Sequence, residues 1–178
     1  LSNDTLICIG TEAVITATGG DVFTWSNGMS TQTIQVSPNQ STIFQVTVID
    51  SNQCVDDSAM LVTVTPLPII TTSNDTTICD GTSATIWAEG GIIYTWNNSF
   101  QGPSQVVSPV DDQTFMVIVE DINTCQDSAE IVVDILELPL AEIYSDYDTL
   151  CRGGSVTLVA QGGMSYVWDN GHISNTYD

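Results

Sequence analysis

A tandem repeat constrains this chain more than any other feature. Ser2-Asn3-Asp4-Thr5 recurs 71 positions later as Ser73-Asn74-Asp75-Thr76, and the match runs without a gap until just after the second cysteine of the unit. Cys8, Gly19-Gly20, Trp25, Ser37-Pro38, Asp50 and Cys54 correspond to Cys79, Gly90-Gly91, Trp96, Ser108-Pro109, Asp121 and Cys125. A third copy opens with Asp148-Thr149-Leu150-Cys151, passes Gly162-Gly163 and Trp168, and reaches the middle of the unit at Asp178. The 178 residues are therefore two and a half repeats. The expected units are 1–67, 68–138 and an incomplete 139–178, with the polypeptide expected to continue. The alternative for the third unit is that a neighbouring subunit donates the missing strands.

Each unit reads as short strands separated by turn residues, with no window of helical spacing. In the first, Ala13, Ile15 and Ala17 alternate up to Gly19-Gly20, Phe23 and Trp25 share a face, and Asn27-Gly28 turns the chain. Ile34 and Val36, then Phe44, Val46 and Val48, then Leu61-Val62-Thr63-Val64 follow before Pro66-Leu67-Pro68. A lone sheet would leave one apolar face wet, so two sheets must pack face to face. The fold class is all-β: tandem immunoglobulin-like β-sandwich domains, joined through Pro66-Leu67-Pro68 and Leu138-Pro139 into a semi-rigid rod or filament. The recurring Trp25, Trp96 and Trp168, which share a face with Phe23, Tyr94 and Tyr166, are expected in the cores.

A sandwich of roughly 70 residues often needs a covalent staple. Cys8 and Cys54 are 46 residues apart, as are Cys79 and Cys125, and each pair brackets one unit. The spacing predicts intradomain bridges Cys8–Cys54 and Cys79–Cys125, with Cys151 unpaired within these residues. The rival is zinc, but neither pair has CxxC spacing and the sole histidine, His172, belongs to the incomplete copy. Disulfides imply an oxidising compartment.

Composition removes other functions. With 22 Asp and Glu against one Lys or Arg, Arg152, the formal charge is −21. Nucleic-acid binding needs clustered cations, so neither nucleic acid nor an anionic membrane surface is an expected partner. No stretch approaches the roughly 18 apolar residues of a membrane span, so no membrane insertion is expected. Hydrophobic residues make up 42% of the chain, enough to build cores. Nucleophile triads want a positioned base, and His172 is the only histidine, with no lysine to replace it. No catalytic residue is assigned, and the chain is not expected to be an enzyme.

The order Asp-Thr-x-x-Cys, Gly-Gly-x-x-x-x-Trp, Val-Ser-Pro and Asp-x-Asn-x-Cys resembles the tandem Ig-like (PKD-like) repeats of large surface adhesins and gliding-motility-associated proteins of Bacteroidota. That resemblance implies an extracellular, cell-surface, multidomain stalk exported by type IX secretion. It also brings a signal for O-glycosylation, Asp followed by Ser or Thr and then a small or aliphatic residue or Thr. This signal places glycans on Thr5, Ser58, Thr76, Ser128 and Thr149, although the same dipeptides also serve as turn chemistry. Asparagine sequons stand at Asn3, Asn39, Asn74 and Asn97.

No cofactor is required. Calcium is the candidate ion for so acidic a surface, with Asp50 and Asn52, Asp121 and Asn123, and the Asp111-Asp112 pair as candidate ligands. None of these completes an EF-hand loop, and an Asp-x-Asn turn is also ordinary hairpin chemistry. Trp87 stands apart, because alternation puts it on the face opposite Ile86 and Ala88, where it is a candidate exposed contact. The expected function is a structural segment of an adhesin stalk or surface filament. Its expected partners are neighbouring repeats of the same chain, further copies in a filament, and a cell-surface or glycan ligand. The alternatives are a carbohydrate- or surface-binding module and the spacer domains of a secreted hydrolase.

Overall fold

A computed structural model of the chain describes residues 4–177, and they form strands, turns and bends without a helix. The first repeat contains β1 (Thr5–Cys8), β2 (Ala13–Thr16), β3 (Val22–Trp25), β4 (Thr33–Val36), β5 (Thr42–Ile49) and β6 (Val55–Thr65). One sheet has the order β1-β6-β5-β3 and the other pairs β2 with β4. The period-two pattern read from the sequence is what buries one face of each strand: Phe23 and Trp25, Ile34 and Val36, and Phe44, Val46 and Val48 all point into one core. β1 runs parallel to β6, and the remaining pairs are antiparallel.

The second repeat contributes β7 (Thr71–Thr72), β8 (Thr76–Cys79), β9 (Ala84–Glu89), β10 (Ile93–Trp96), β11 (Ser104–Val107), β12 (Gln113–Glu120) and β13 (Gln126–Leu136). Its sheets are ordered β10-β12-β13-β8 and β11-β9-β7. Among the described residues this is the first sandwich again, with one addition. The chain leaving Pro66-Leu67-Pro68 lays Thr71 and Thr72 beside Glu89 and Ala88 as a third strand, then crosses so that β8 pairs parallel to β13 on the opposite sheet. Ile70, just ahead of β7, packs against the second core.

Three local devices recur. The indole of each tryptophan that recurs with the repeat donates to a carbonyl six residues on, Trp25 to Thr31 at 2.8 Å, Trp96 to Gly102 at 2.9 Å and Trp168 to Ser174 at 2.8 Å. The turn between is fastened by Asn27, Asn98 and Asn170, whose side-chain oxygens accept the amides of Met29, Phe100 and His172. The Gly-Gly pairs have a steric reason: a Cβ on Gly91 would lie 2.5 Å from the Glu120 carbonyl oxygen, and one on Gly20 2.7 Å from that of Ile49.

In the third unit β14 (Glu142–Ser145), β15 (Leu158–Gln161) and β16 (Thr176–Tyr177) form a single sheet in the order β14-β15-β16. It reproduces β7-β9-β11. Asp148-Thr149-Leu150-Cys151, the copy of β1 and β8, forms no strand, since the strand it would pair with is not among these residues. Trp168 is accordingly only half-buried, whereas Trp25 and Trp96 are each 2% exposed.

Candidate functional site

The cysteines do not pair as their spacing predicts. Cys8 is bonded to Cys125 with Cα atoms 5.5 Å apart, across the junction of the first two repeats, while Cys54, Cys79 and Cys151 are free and exposed. The separation of 117 residues is one 46-residue spacing plus one 71-residue period. The expected bridges Cys8–Cys54 and Cys79–Cys125 are excluded by strand geometry. Cys8 lies opposite Thr65 at the far end of β6, and Cys54 immediately precedes the near end. Eleven residues of β6 at roughly 3.3 Å each hold these ends about 30 Å or more apart, and a disulfide needs Cα atoms within about 7 Å. Cys79, opposite Leu136, and Cys125, just before Gln126, are separated by the equally long β13. What looked like two staples inside beads is one clamp between them.

The clamp sits in a built junction. Cys125 is fully buried, and its sulfur lies 3.1 Å from the Thr65 hydroxyl, which also lies 3.1 Å from the Ile7 carbonyl and donates to it. The Asp121–Cys125 loop presents the cysteine: Asp121 Oδ1 accepts the amides of Asn123 at 2.8 Å and Cys125 at 2.9 Å. Thr124 takes a positive φ of 64° to close the loop. Ahead of it, Ile69 and Ile70 cross directly against Gly90, where φ is 121° and a side chain would collide with the Ile69 carbonyl. Junction strand, glycine and sulfur thus meet at one end of the second sandwich.

The same Asx-fastened loop occurs in the first repeat, where Asp50 Oδ1 accepts the amides of Asn52 and Cys54, both at 2.8 Å. These bonds, the Cys54 amide foremost, hold the Asp50 carboxyl below its ordinary value against a smaller opposing effect of burial. The calcium candidates Asp50, Asn52, Asp121 and Asn123 therefore fasten cysteine-bearing loops. Asp112, of the other candidate pair, accepts the Ile135 amide at 2.7 Å. Among the described residues no three His, Cys, Asp or Glu side chains cluster as metal ligands.

Of the glycan candidates, Ser58, Ser128 and Thr149 are exposed, and Thr5 and Thr76 are half-buried at the starts of β1 and β8. The aspartates before those two threonines have structural work: Asp4 accepts the Leu61 amide at 2.9 Å and Asp75 that of Val132 at 2.8 Å, fixing β1 on β6 and β8 on β13. Ser58 and Ser128 are not equivalent positions. Ser58 stands opposite Val46, whereas Ser128 stands opposite Ile118, one place beyond the counterpart of Val46, so the two serines face opposite ways. Among the asparagine sequons, Asn39, Asn74 and Asn97 are exposed and Asn3 lies outside the described residues.

Trp87 is 37% exposed on the outer face of β9, opposite Ser104, with its backbone tied to Ser73. Its outward neighbours include Thr85, Glu89 and Val106, with no second aromatic ring among them. His172 stands edge-on to Tyr177, 5.6 Å between ring centres, in the exposed third unit.

Sequence reasoning missed the junction because the same 46-residue spacing results whether the cysteines pair within units or between them. The signal that separates the two is strand length. With one cysteine at each end of an eleven-residue strand, they cannot meet.

No family model matches the chain, and no curated protein matches it. The solved structures it matches include tandem immunoglobulin domains and cadherin ectodomains. DIP-gamma IG1+IG2 is 13% identical at a TM-score of 0.35, over 75% of this chain and 93% of that one. Sidekick-1 immunoglobulin domains 1–4 are 12% identical at 0.34, over 82% and 52%. The N-terminal four Ig domains of Dscam1 are 11% identical at 0.32, over 76% and 43%. The chain is all-β with tandem Ig-like units, and no helix among the described residues is long and apolar enough to cross a membrane.

Proposed function

We propose that this chain is a load-bearing segment of an extracellular adhesin stalk or surface filament, in which Ig-like repeats are threaded in series. The observation that carries the reading is the covalent junction: Cys8 of one sandwich is bonded to Cys125 of the next, beside a linker that ends as a strand of the second sandwich. Linkers of independent binding modules need no such fastening. A bond across the junction resists bending and carries tension, and it persists where thiols are oxidised. The surface charge keeps neighbouring stalks apart within a Debye length of about 8 Å. A Bacteroidota origin, type IX export and O-glycans on Thr5, Ser58, Thr76, Ser128 and Thr149 belong to the same proposal and rest on the resemblance of the repeat, while calcium rests on the acidity of the surface.

Electron microscopy of the native polypeptide tests it. The expected image is a thin thread with an axial beat of roughly 35–40 Å, about the length of an eleven-residue strand. Separate compact particles joined by variable gaps would contradict it and favour a binding module, for which Trp87 would be the first residue to replace.

A further inference from the structure

The two complete sandwiches have the same amino-terminal end face, and among the described residues it is covered in the second. In the second repeat, Ile70 packs on the core, β7 closes the edge of β9, Ile69 covers Gly90, and Cys125 is buried in its bond with Cys8. Among the described residues of the first repeat, β2 pairs only with β4, and a cleft of about 250 Å³ lies between Ala17, Gly19, Val48 and Cys54. Gly19 has the left-handed φ of its counterpart, 107° against 121°, yet nothing among the described residues stands within 4 Å of where its Cβ would be. Cys54 is exposed on a loop that Asp50 fastens as Asp121 fastens that of Cys125.

We propose that this face is a docking site for a further repeat of the same type, whose junction strand adds to the β2 edge and whose β1-type cysteine closes a disulfide with Cys54. The inference rests on the serial-repeat reading and names the partner of that site. The occupant is fixed by the second repeat, where the equivalent residues already hold such a neighbour. By the same register, Cys79 at the end of β8 is the outgoing half of the next bond, to the Asp-x-Asn-x-Cys cysteine of a following repeat. The cysteines then form a ladder of one bond per junction.

Closure is a two-electron oxidation by a disulfide such as oxidised glutathione. One cysteine thiolate displaces glutathione thiolate to form a mixed disulfide, and the second displaces the other glutathione. Two cysteine thiols lose two protons and two electrons, and the oxidant leaves as two thiols.

The test fuses a second copy of residues 1–71 directly ahead of Leu1, keeping the repeat register, and folds the chain in a glutathione redox buffer. Free thiols are alkylated and the unreduced protein is cut with pepsin, since a chain with one arginine and no lysine gives trypsin little to cut. The expected product links Cys8 of the added copy to the original Cys54, with alkylation of Cys54 falling at least about tenfold from its level in the parent chain. In the same fusion, Cys54→Ser should leave that added Cys8 alkylated. Recovery of Cys54 as a thiol while Cys8–Cys125 forms in the same sample overturns the docking site and leaves the first junction standing. A bond between Cys8 and Cys54 of the added copy overturns it as well. Absence of both junction bonds from a chain with β-sheet circular dichroism overturns the serial reading too.

Discussion

Asp50 spends its carboxylate on backbone amides, and that fixes how it responds to acid. The folded-state pKa of Asp50 is lowered, chiefly by the Cys54 amide. Its contribution to stability is therefore complete above the unfolded carboxyl value, near 3.9, and is lost as pH falls through the lower folded one. Replacing it by Asp50→Asn should lower the melting temperature at pH 7, and by progressively less as pH falls below the ordinary carboxyl range, read by thermal unfolding of both chains. An equal offset at every pH would show that charge has no part in fastening the loop. A second prediction concerns the tryptophan turn of the second repeat, where Ser99 occupies φ 67° at the place of Gly28, φ 86°, in the first. Relieving a left-handed non-glycine residue outweighs the entropy that glycine adds to the unfolded chain, so Ser99→Gly should stabilise by about 0.5–1 kcal/mol in denaturant unfolding. The sequence marked both places as turns. It could not show that the Asp-x-Asn turns hold a cysteine in bonding position, because that role depends on what lies opposite the loop.

Strands legible in the sequence are those with an alternating apolar face, such as Phe44, Val46 and Val48 on β5. β6 was legible only in its second half, since Asp56, Asp57 and Ser58 carry no apolar alternation and are exposed, yet they pair in register with Val48, Thr47 and Val46. β7 left no signal because two residues of Thr-Thr gain their place only from β9 beside them. The core tryptophans were legible as core, and their indole bonds explain why the side chain is specific. Trp96→Phe removes the donor to the Gly102 carbonyl and leaves a gap around a residue 2% exposed. It should cost about 2 kcal/mol by chemical denaturation. A loss below about 0.5 kcal/mol would mean that the turn, and not the ring, fixes this end of the sandwich.

For the whole molecule, repetition revealed the units and concealed their connection. Translating the sequence by 71 residues maps Cys8 onto Cys79 and Cys54 onto Cys125, so pairing within units and pairing between them look the same. The length of β6 and β13 removes that ambiguity by placing the two cysteines of a unit at opposite ends. It also turns two closed beads into links of a chain. The most direct measurement of this account is peptide mapping of the parent 178-residue chain, folded in an oxidising buffer, alkylated and cut without reduction. The account predicts one bridged pair, Cys8 with Cys125, and alkylated Cys54, Cys79 and Cys151. Recovery of Cys8 with Cys54 and of Cys79 with Cys125 would contradict it.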